Sequence, residues 1–509
     1  MIITELQQLY ATHPNVEGMC KLLKDDSVRH LYCSGLCASA ASLFSSVLVQ
    51  RAECPFVFIL GDLEEAGYFY HDLTQILGTG QVLFFPSSFR RAIKYGQKDA
   101  ANEILRTEVL SRLQKGEEGL CVVTYPDALA EKVVSRKELG DKTLKLHAGE
   151  KVDMDFVTEV LRSYGFEYVD YVYEPGQYAV RGSIIDVFSF SSEFPFRIDF
   201  FGDEVESIRT FEVESQLSRE KKEEIVIVPD LSRSLEQGGN GGMVSFLDFL
   251  RPDTLLAMRD FLWLRERIQA VHDESLTAQA IAACEAEENG AISLEGKLID
   301  GGEFTLRALD FRRMEFGTKP TGTPDATVTF STVAQPIFHK NFDLVAESFR
   351  DYLSRNYTLY ICSDSLKQTD RIRAIFEDRG DNISFTPVER TLHEGFADDT
   401  LRLCIFTDHQ LFDRFHKYNL KSDKARSGKV ALSLKELNQF TPGDYVVHTD
   451  HGVGRFTGLI RIPNGDTTQE VMRLVYQNDD VVFVSIHSLH KVSKYKGKEG
   501  EAPRLNKLG

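Results

Sequence analysis

The stretch GDYVVHTDHGVGRFTG, near the C-terminal end, contains three residues of the kinds that bind metal ions. His448, Asp450 and His451 lie within four positions, but side chains alternate along a strand, so His451 would point away from the other two. Further ligands would have to come from His487 and His490, whose spacing matches no familiar metal-binding pattern. The pattern favours histidines that form hydrogen bonds inside a fold, and no metal site is predicted.

Glycines recur through the same stretch, at Gly443, Gly452, Gly454 and Gly458. A strand with so many glycines needs bulges and sharp bends. This spacing predicts a small, strongly curved β-barrel rather than a catalytic loop.

A second stretch, LYCSGLCASAASLF, has the strand, small-residue turn and helix in which a phosphate-binding loop would lie. Such a loop needs glycines for close backbone approach, a lysine for the phosphates and a hydroxyl for Mg²⁺. With Gly35 placed at an internal glycine, Ala38 occupies the lysine position and only Ser39 keeps a hydroxyl. A packing turn is therefore favoured over a nucleotide site. The acids of HDES follow the helical pattern RERIQAV and are expected to face solvent, so no ATP hydrolysis is predicted.

The stretch FRIDFFGDEVESI predicts two strands joined by a tight turn at Gly202-Asp203. Alternation places Arg197 and Phe201 on the face opposite the core, and Arg181 is expected on the same face of an earlier strand. Arginines and aromatic residues are enriched at protein–protein hot spots. From composition alone, the alternative is favoured: Arg197 pairs with a nearby acid such as Glu204, and the exposed Phe201 is an ordinary surface residue.

The composition indicates a cytoplasmic protein of several domains. The 509 residues exceed one hydrophobic core, and 42% of them are hydrophobic. No apolar run approaches the ~20 residues of a membrane span, and MIITELQQLY lacks the basic start of a secretory signal. The eight cysteines form no CxxC pair, so a disulfide framework or a zinc site is not expected.

The net charge of −18 argues against a protein that binds nucleic acid over its whole surface. Two segments are locally basic, HKYNLKSDKARSGK and the terminal KVSKYKGKEGEAPRLNKLG. Local contact with DNA stays open for both, although a solvated linker and a solvated tail are favoured.

The order of predicted strands and helices along the chain indicates a multidomain α/β and α+β protein. Alternating strands and helices indicate a parallel-sheet domain, interrupted by an antiparallel module and followed by a second small α/β domain. The predicted boundaries are 1–145 and 236–334 for the two parts of the first domain, 146–235 for the module, 335–415 for the second domain, 416–432 for a linker, 433–495 for the small β unit and 496–509 for the start of a further linker.

The stretch YEPGQYAVRGSIIDVFSFSSEFPFRIDFFGDEVESIRTFEVESQLS resembles the module shared by UvrB and the bacterial transcription-repair coupling factors (Mfd). The resemblance includes the EPGQYAVRG opening, the IDVF strand and the RIDFFGDEVESIR hairpin. It implies that the module binds UvrA, and the family's interface residues match Arg181, Arg197 and Phe201.

The glycine-rich stretch and its continuation, VMRLVYQNDDVVFVSIHSLHKVSKY, are similar to the RNA-polymerase-interacting domain of these factors, which is itself similar to CarD-type regulators. The resemblance implies a small Tudor- or CarD-like β-barrel that adds a strand edge to the polymerase β subunit. The strand after the motif is the candidate edge, with Leu459 and Ile462 as candidate contacts.

Both resemblances occur in the family's order, and the family's first domain is UvrB-like with a degenerate phosphate loop, as at Gly35, Ala38 and Ser39. The family implies a scaffold that binds stalled RNA polymerase and recruits UvrA for transcription-coupled nucleotide excision repair. The chain is expected to be an N-terminal portion without cofactor, because the family's ATP- and Mg²⁺-dependent DNA-translocating motor follows this region. DNA contact is expected mainly through that motor, and the domain that masks the UvrA surface in the family is not in this sequence.

Two alternatives remain open. A UvrB-type, nucleotide-dependent repair enzyme is disfavoured by Ala38. A CarD-like transcription regulator without a repair role is disfavoured by the UvrB-like module.

Overall fold

The computed structural model describes residues 1–88, 100–213, 215–231, 243–275, 296–414, 416, 443–448, 451–464, 467–477, 480–485, 492–494 and 505–506. The chain divides into two compact units, one of residues 1–139 with 233–420 and the other of residues 140–232 with 421–509. In the described part of the chain, every helix is too short or too polar to cross a lipid bilayer.

The described helices and strands are numbered here in chain order. The helices are α1 Ile3–Tyr10, α2 Pro14–Lys24, α3 Ala40–Arg51, α4 Leu63–Leu77, α5 Ala100–Lys115, α6 Pro126–Ala130, α7 Arg136–Asp141, α8 Met154–Ser163, α9 Phe261–Ser275, α10 Gly301–Ala308, α11 Phe342–Ser354, α12 Leu366–Asp378 and α13 Asp408–Leu411. The strands are β1 His30–Ser34, β2 Phe56–Ile59, β3 Val82–Phe85, β4 Cys121–Thr124, β5 Leu144–His147, β6 Glu167–Tyr168, β7 Gln177–Arg181, β8 Ile184–Val187, β9 Phe196–Phe201, β10 Glu204–Phe211, β11 Ser218–Lys222, β12 Glu224–Ile227, β13 Leu255–Met258, β14 Arg312–Glu315, β15 Ala326–Thr329, β16 Thr332–Ala334, β17 Thr358–Ser363, β18 Thr386–Glu389, β19 Phe396–Asp398, β20 Leu403–Thr407, β21 Tyr445–His448, β22 Gly452–Asn464, β23 Thr467–Val475, β24 Val481–Ser485 and β25 Val492–Lys494.

A seven-stranded parallel sheet in the order β15-β1-β14-β13-β2-β4-β3 organises the first unit. Strands β13 and β14 lie between β2 and β1, so segments on both sides of the inserted module build one sheet. All residues of β2, β3, β4 and β13 are buried, as is typical of parallel strands covered on both faces. Helix α3 follows β1 and buries ten consecutive residues, which explains its lack of a polar face.

The inserted module is a six-stranded sheet in the order β11-β10-β9-β8-β7-β6. Its pairs are antiparallel except β6 with β7, and Phe201 pairs with Glu204 across the predicted two-residue turn. Gly202 has a φ of +62°, a conformation that side chains disfavour. One face of the sheet buries Tyr178, Ile185 and Ile198 in a core completed by α8 and by the β5–β12 pair.

The smaller α/β domain of the first unit has a five-stranded mixed sheet in the order β16-β19-β20-β17-β18. Strand β17 is parallel to β18 and β20, whereas β19 is antiparallel to both β16 and β20. The ring of Phe349, from α11, packs against those of Phe376 of α12 and Phe406 of β20.

The C-terminal sheet is antiparallel, in the order β24-β23-β22-β21-β25. A register shift between Phe456 and Gly458 marks the kind of irregularity that the glycines predicted, and Gly458 has a φ of +127°. Gly454 lies against the ring of Tyr476, where a side chain would collide. No pairing among the described residues joins β24 to β25, so closure into a Tudor-like barrel stays a prediction.

Candidate functional site

A buried carboxylate lies at the centre of the module's second sheet face. Asp186 is fully buried, and Arg197 donates to it with two nitrogens, from Nε to Oδ1 at 2.7 Å and from Nη2 to Oδ2 at 2.9 Å. Arg181 donates from Nη2 to the same Oδ2. The two arginines that the sequence placed on this face therefore converge on one acid, and their combined net charge is +1.

Cross-strand register explains this convergence. Asp186 of β8 lies directly opposite Arg197 of β9, and it also pairs with Ala179 of β7, two residues from Arg181. Side chains two apart on one strand share a face, so all three charged groups meet above the sheet. The carboxylate of Asp186 raises the pKa of Arg197 further above its ordinary value.

The two arginines differ in what they offer to a partner. The Arg197 side chain is only 16% exposed: its guanidinium lies 4.5 Å from the centre of the Phe211 ring and donates to the Gln216 carbonyl at 3.1 Å. The Arg181 side chain is 35% exposed and lies 4.9 Å from the ring of Tyr171. Alternation correctly gives the face of Arg197, and the favoured expectation that Arg197 pairs with an acid agrees with its bond to Asp186; neighbouring segments also cover most of its side chain.

Phe201 closes β9 just before the turn and is 79% exposed, more than any other large hydrophobic side chain in the described residues. Its neighbour Phe200 is buried in the core on the opposite face. Asp199, which shares the outer face of β9 with Phe201, accepts hydrogen bonds from Ser207 (2.8 Å) and Arg209. An aromatic side chain thus projects from a face on which Asp186 and Asp199 are already paired.

The sequence prediction missed Asp186 and Arg209 on this face. The signal was present, because each shares its face with the predicted residues through the two-residue period of β8 and β10. The partners suggested for Arg197 were acids near Asp199 or Glu204, whereas the observed partner is Asp186 of the neighbouring strand.

The C-terminal sheet presents a second candidate surface. Strand β22 pairs with β21 only from Gly452 to Arg455, whereas it pairs with β23 as far as Asn464. In the described part of the chain, the edge from Leu459 onward has no second strand beside it, and the Leu459 side chain is partly exposed. Ile462 pairs with Gln469 in the backbone register, but its side chain lies outside the described part.

The histidines of the opening stretch lie in this same sheet. His448 is buried, as predicted, whereas His451 is exposed, so the prediction of a buried residue is wrong for His451. Their ring centres lie 4.7 Å apart. Asp450, His487 and His490 lie outside the described residues.

The degenerate phosphate loop joins β1 to α3 and is held by neighbouring backbone. The hydroxyl of Ser39 accepts a hydrogen bond from the Glu394 backbone N–H at 2.9 Å, and the Ser39 N–H donates back to the Glu394 carbonyl. Thr332 donates from Oγ1 to the Gly35 carbonyl at 2.6 Å. The hydroxyl that a magnesium site would use is therefore buried beneath the smaller α/β domain.

The cavity beside this loop has a volume of about 320 Å³, and most of the charged residues that line it are acids. Its charged lining residues are Asp62, Glu64, Glu65, Asp72, Arg259 and Glu394. The one basic group among them, Arg259, is paired with Glu65 at 2.7 Å. Burial raises the pKa of Asp72 to about 6, although its oxygens accept hydrogen bonds from Ser42 and His393. Such a lining disfavours the negative charges of a nucleotide phosphate.

Replacing Gly35 by alanine is expected to destabilise the chain by about 3 kcal/mol or more. Gly35 has a φ of +79°, and a Cβ there would collide with the Phe330 carbonyl. Gly380 is the matched control, because its φ is +71° at the end of a helix but open space surrounds it, so Gly380→Ala should cost only about 1 kcal/mol. Urea unfolding measures both. If both variants lost the same free energy of unfolding, Gly35 would be required only for its backbone conformation and not for its close contact with Phe330.

Comparison with known families assigns two domains. The family model of the UvrB interaction domain matches residues 144–232, and the CarD-like/TRCF RID domain matches residues 440–496. The chain is thus of the class that combines a UvrB interaction domain with a CarD-like domain.

Similar proteins include the transcription-repair-coupling factors of Bacillus subtilis (strain 168), 23% identical over 555 residues, and of Staphylococcus aureus (strain bovine RF122 / ET3-1), 24% identical over 551 residues. The matches cover 95% and 94% of this chain and 46% of each relative, so the chain spans about half the length of the curated relatives it matches. The comparisons confirm the resemblance to bacterial transcription-repair coupling factors that the sequence motifs indicate.

Proposed function

We propose that this chain is the scaffold portion of a transcription-repair coupling factor, which binds stalled RNA polymerase and recruits UvrA. The observation that carries the proposal is the presence, in one chain, of a UvrB interaction domain and a CarD-like/TRCF RID domain. A transcription regulator of the CarD type would not need the first, and a repair enzyme of the UvrB type would not need the second.

The UvrA surface in this proposal is the outer face of the six-stranded sheet. Phe201 supplies an exposed aromatic anchor, and Arg181 supplies a partly exposed cation held by Asp186. Arg197 mainly supports this face, because most of its side chain is covered. A rigid, pre-paired charge cluster beside one projecting aromatic residue has the composition of an interaction hot spot.

The polymerase surface in this proposal is the edge of β22 from Leu459 to Ile462, which has no second strand beside it among the described residues. A strand edge without a neighbour offers backbone donors and acceptors to a strand of the partner, here the polymerase β subunit.

We further propose that the chain has no ATP-hydrolysing activity of its own. Ala38 removes the phosphate-binding lysine, the Ser39 hydroxyl is already bonded, and the adjoining cavity is acidic. In the whole protein, ATP-driven movement along DNA would come from a region outside this chain.

The proposal is tested by immobilising the purified chain and measuring retention of purified UvrA and RNA polymerase. The wild-type chain should retain both. Leu459→Glu should weaken retention of the polymerase about tenfold or more and leave UvrA retention unchanged, because it places a charge at the strand edge that the partner must cover.

Phe483→Glu is the matched control. Phe483 is exposed on β24, which is separated from β22 by β23 and forms an outer strand of the same sheet. If Phe483→Glu alone abolished polymerase retention, the β22 edge would be the wrong surface. Retention of polymerase without UvrA would instead support a CarD-like regulator, and retention of neither would refute the scaffold.

A further inference from the structure

Histidines from distant parts of the sequence meet in the first unit. Metal-ligating atoms of His393, His409 and His416 all lie within 4.8 Å of one another, and the two Nδ1 atoms of His393 and His416 are 3.5 Å apart. The ring of His71, from α4, lies 4.9 Å from that of His416. Because these residues come from separate segments, no sequence spacing marks them as a group.

The hydrogen bonds leave lone pairs available. The His409 Nε2 lies 2.7 Å from the His393 carbonyl, which can only accept, so Nε2 donates and a neutral His409 ring keeps its lone pair on Nδ1. The Thr391 hydroxyl lies 3.4 Å and an Asp408 carboxylate oxygen 3.8 Å from this Nδ1, so an ion would have to displace the Thr391 contact. Donation of the second ring nitrogen to a backbone carbonyl is the arrangement that orients metal-ligating histidines. His71 is nine-tenths buried, and its Nε2 has no hydrogen-bond partner within the described residues.

We propose that His393, His409 and His416 bind a divalent ion of the zinc class, with His71 as the fourth ligand. Imidazole nitrogens hold Zn²⁺ at about 2.0–2.1 Å in a tetrahedral site, which places two ligand atoms about 3.4 Å apart. The 3.5 Å between the His393 and His416 nitrogens already matches that separation. The His409 ring stacks on the His416 ring with centres 4.2 Å apart, so a shared ion requires one of these rings to turn until its nitrogen lone pair points at the ion.

Neighbouring residues hold the histidine rings in place, and a cavity beside them gives an ion a path to the site. Tyr68 stacks on His393 with ring centres 3.5 Å apart, and its hydroxyl donates to the His416 carbonyl at 2.7 Å. The acid-lined cavity of about 320 Å³ reaches His393 and offers a cation an entry path. The ion would join α4 to the smaller α/β domain and so stabilise the contact that covers the degenerate phosphate loop.

The rival explanation is a metal-free stack in which one Nδ1–H of the His393–His416 pair donates to the other ring. Only the proposed metal site requires the chain to bind one ion stoichiometrically; the metal-free stack does not. The whole chain, freed of metal with EDTA and then dialysed, is titrated with ZnCl₂ by calorimetry and with CoCl₂ by visible absorption.

The expected result is one ion per chain, tetrahedral cobalt bands, and a zinc-dependent rise in Tm. His393→Gln/His416→Gln should weaken binding about 100-fold or more and abolish the bands. His147→Gln/His339→Gln, which changes two exposed histidines, should alter neither.

Three results would overturn the proposal. They are the absence of stoichiometric binding by the wild-type chain, unchanged binding in the His393/His416 variant, and loss of the ion in His448→Gln/His451→Gln, which would assign it to the C-terminal sheet. If circular dichroism shows that the His393/His416 variant is unfolded, the wild-type cobalt spectrum decides. Tetrahedral bands at one equivalent support the site, and their absence refutes it.

Discussion

Phe201→Ala is expected to weaken binding of the chain to UvrA by about 30-fold or more, equivalent to about 2 kcal/mol. The side chain is 79% exposed and contributes little to the core, so its removal should leave the fold intact while deleting the largest apolar group on the outer sheet face. Calorimetric titration of purified chain with purified UvrA measures the change.

Phe156→Ala is the matched control. Phe156 is also a phenylalanine of the module and is 52% exposed, but it lies on α8, whose buried residues pack against the opposite face of the sheet. UvrA affinity should change by less than about twofold. Equal losses in both variants would indicate a general surface effect and would contradict the proposed position of the interface.

Asp186→Asn is expected to destabilise the inserted module by about 3 kcal/mol. Asp186 is fully buried between Arg181 and Arg197, and the neutral amide cannot balance two guanidinium groups held close together. The covered Arg197, packed over Phe211, would be left as a poorly compensated charge. Urea unfolding followed by circular dichroism gives the free energy of unfolding for wild type and variant.

Glu212→Gln provides the isosteric comparison at the surface. Glu212 pairs with Arg219 where both side chains are exposed, and such pairs contribute only about 0–1 kcal/mol. A loss below about 1 kcal/mol for Asp186→Asn would mean that solvent reaches this carboxylate.

The Asp186 cluster also changes how arginine variants should be interpreted. Arg197→Ala would leave Asp186 with one cation, so a loss of UvrA binding in that variant would mix stability with contact. Arg181→Ala, on a more exposed side chain, reports contact more directly. Stability measurements therefore have to precede any assignment of Arg197 to the interface.

The sequence by itself determined the local features of the candidate surfaces. Alternation along FRIDFF identified the outward face of Phe201, and Gly202-Asp203 predicted the turn, because burial period and turn chemistry depend on adjacent residues. Glycine spacing likewise indicated the irregular strand near Gly458, and Ala38 at the lysine position predicted that no nucleotide phosphate binds there.

Only the tertiary structure decided which distant groups meet. It paired Arg197 with Asp186 across two strands, bonded Ser39 to Glu394 of another domain, and brought His71 together with three histidines more than 300 positions away. Periodicity specifies the face on which a side chain lies but not the segment that covers it. The covering segment is determined by strand order and domain packing, which depend on long-range burial rather than on neighbouring residues.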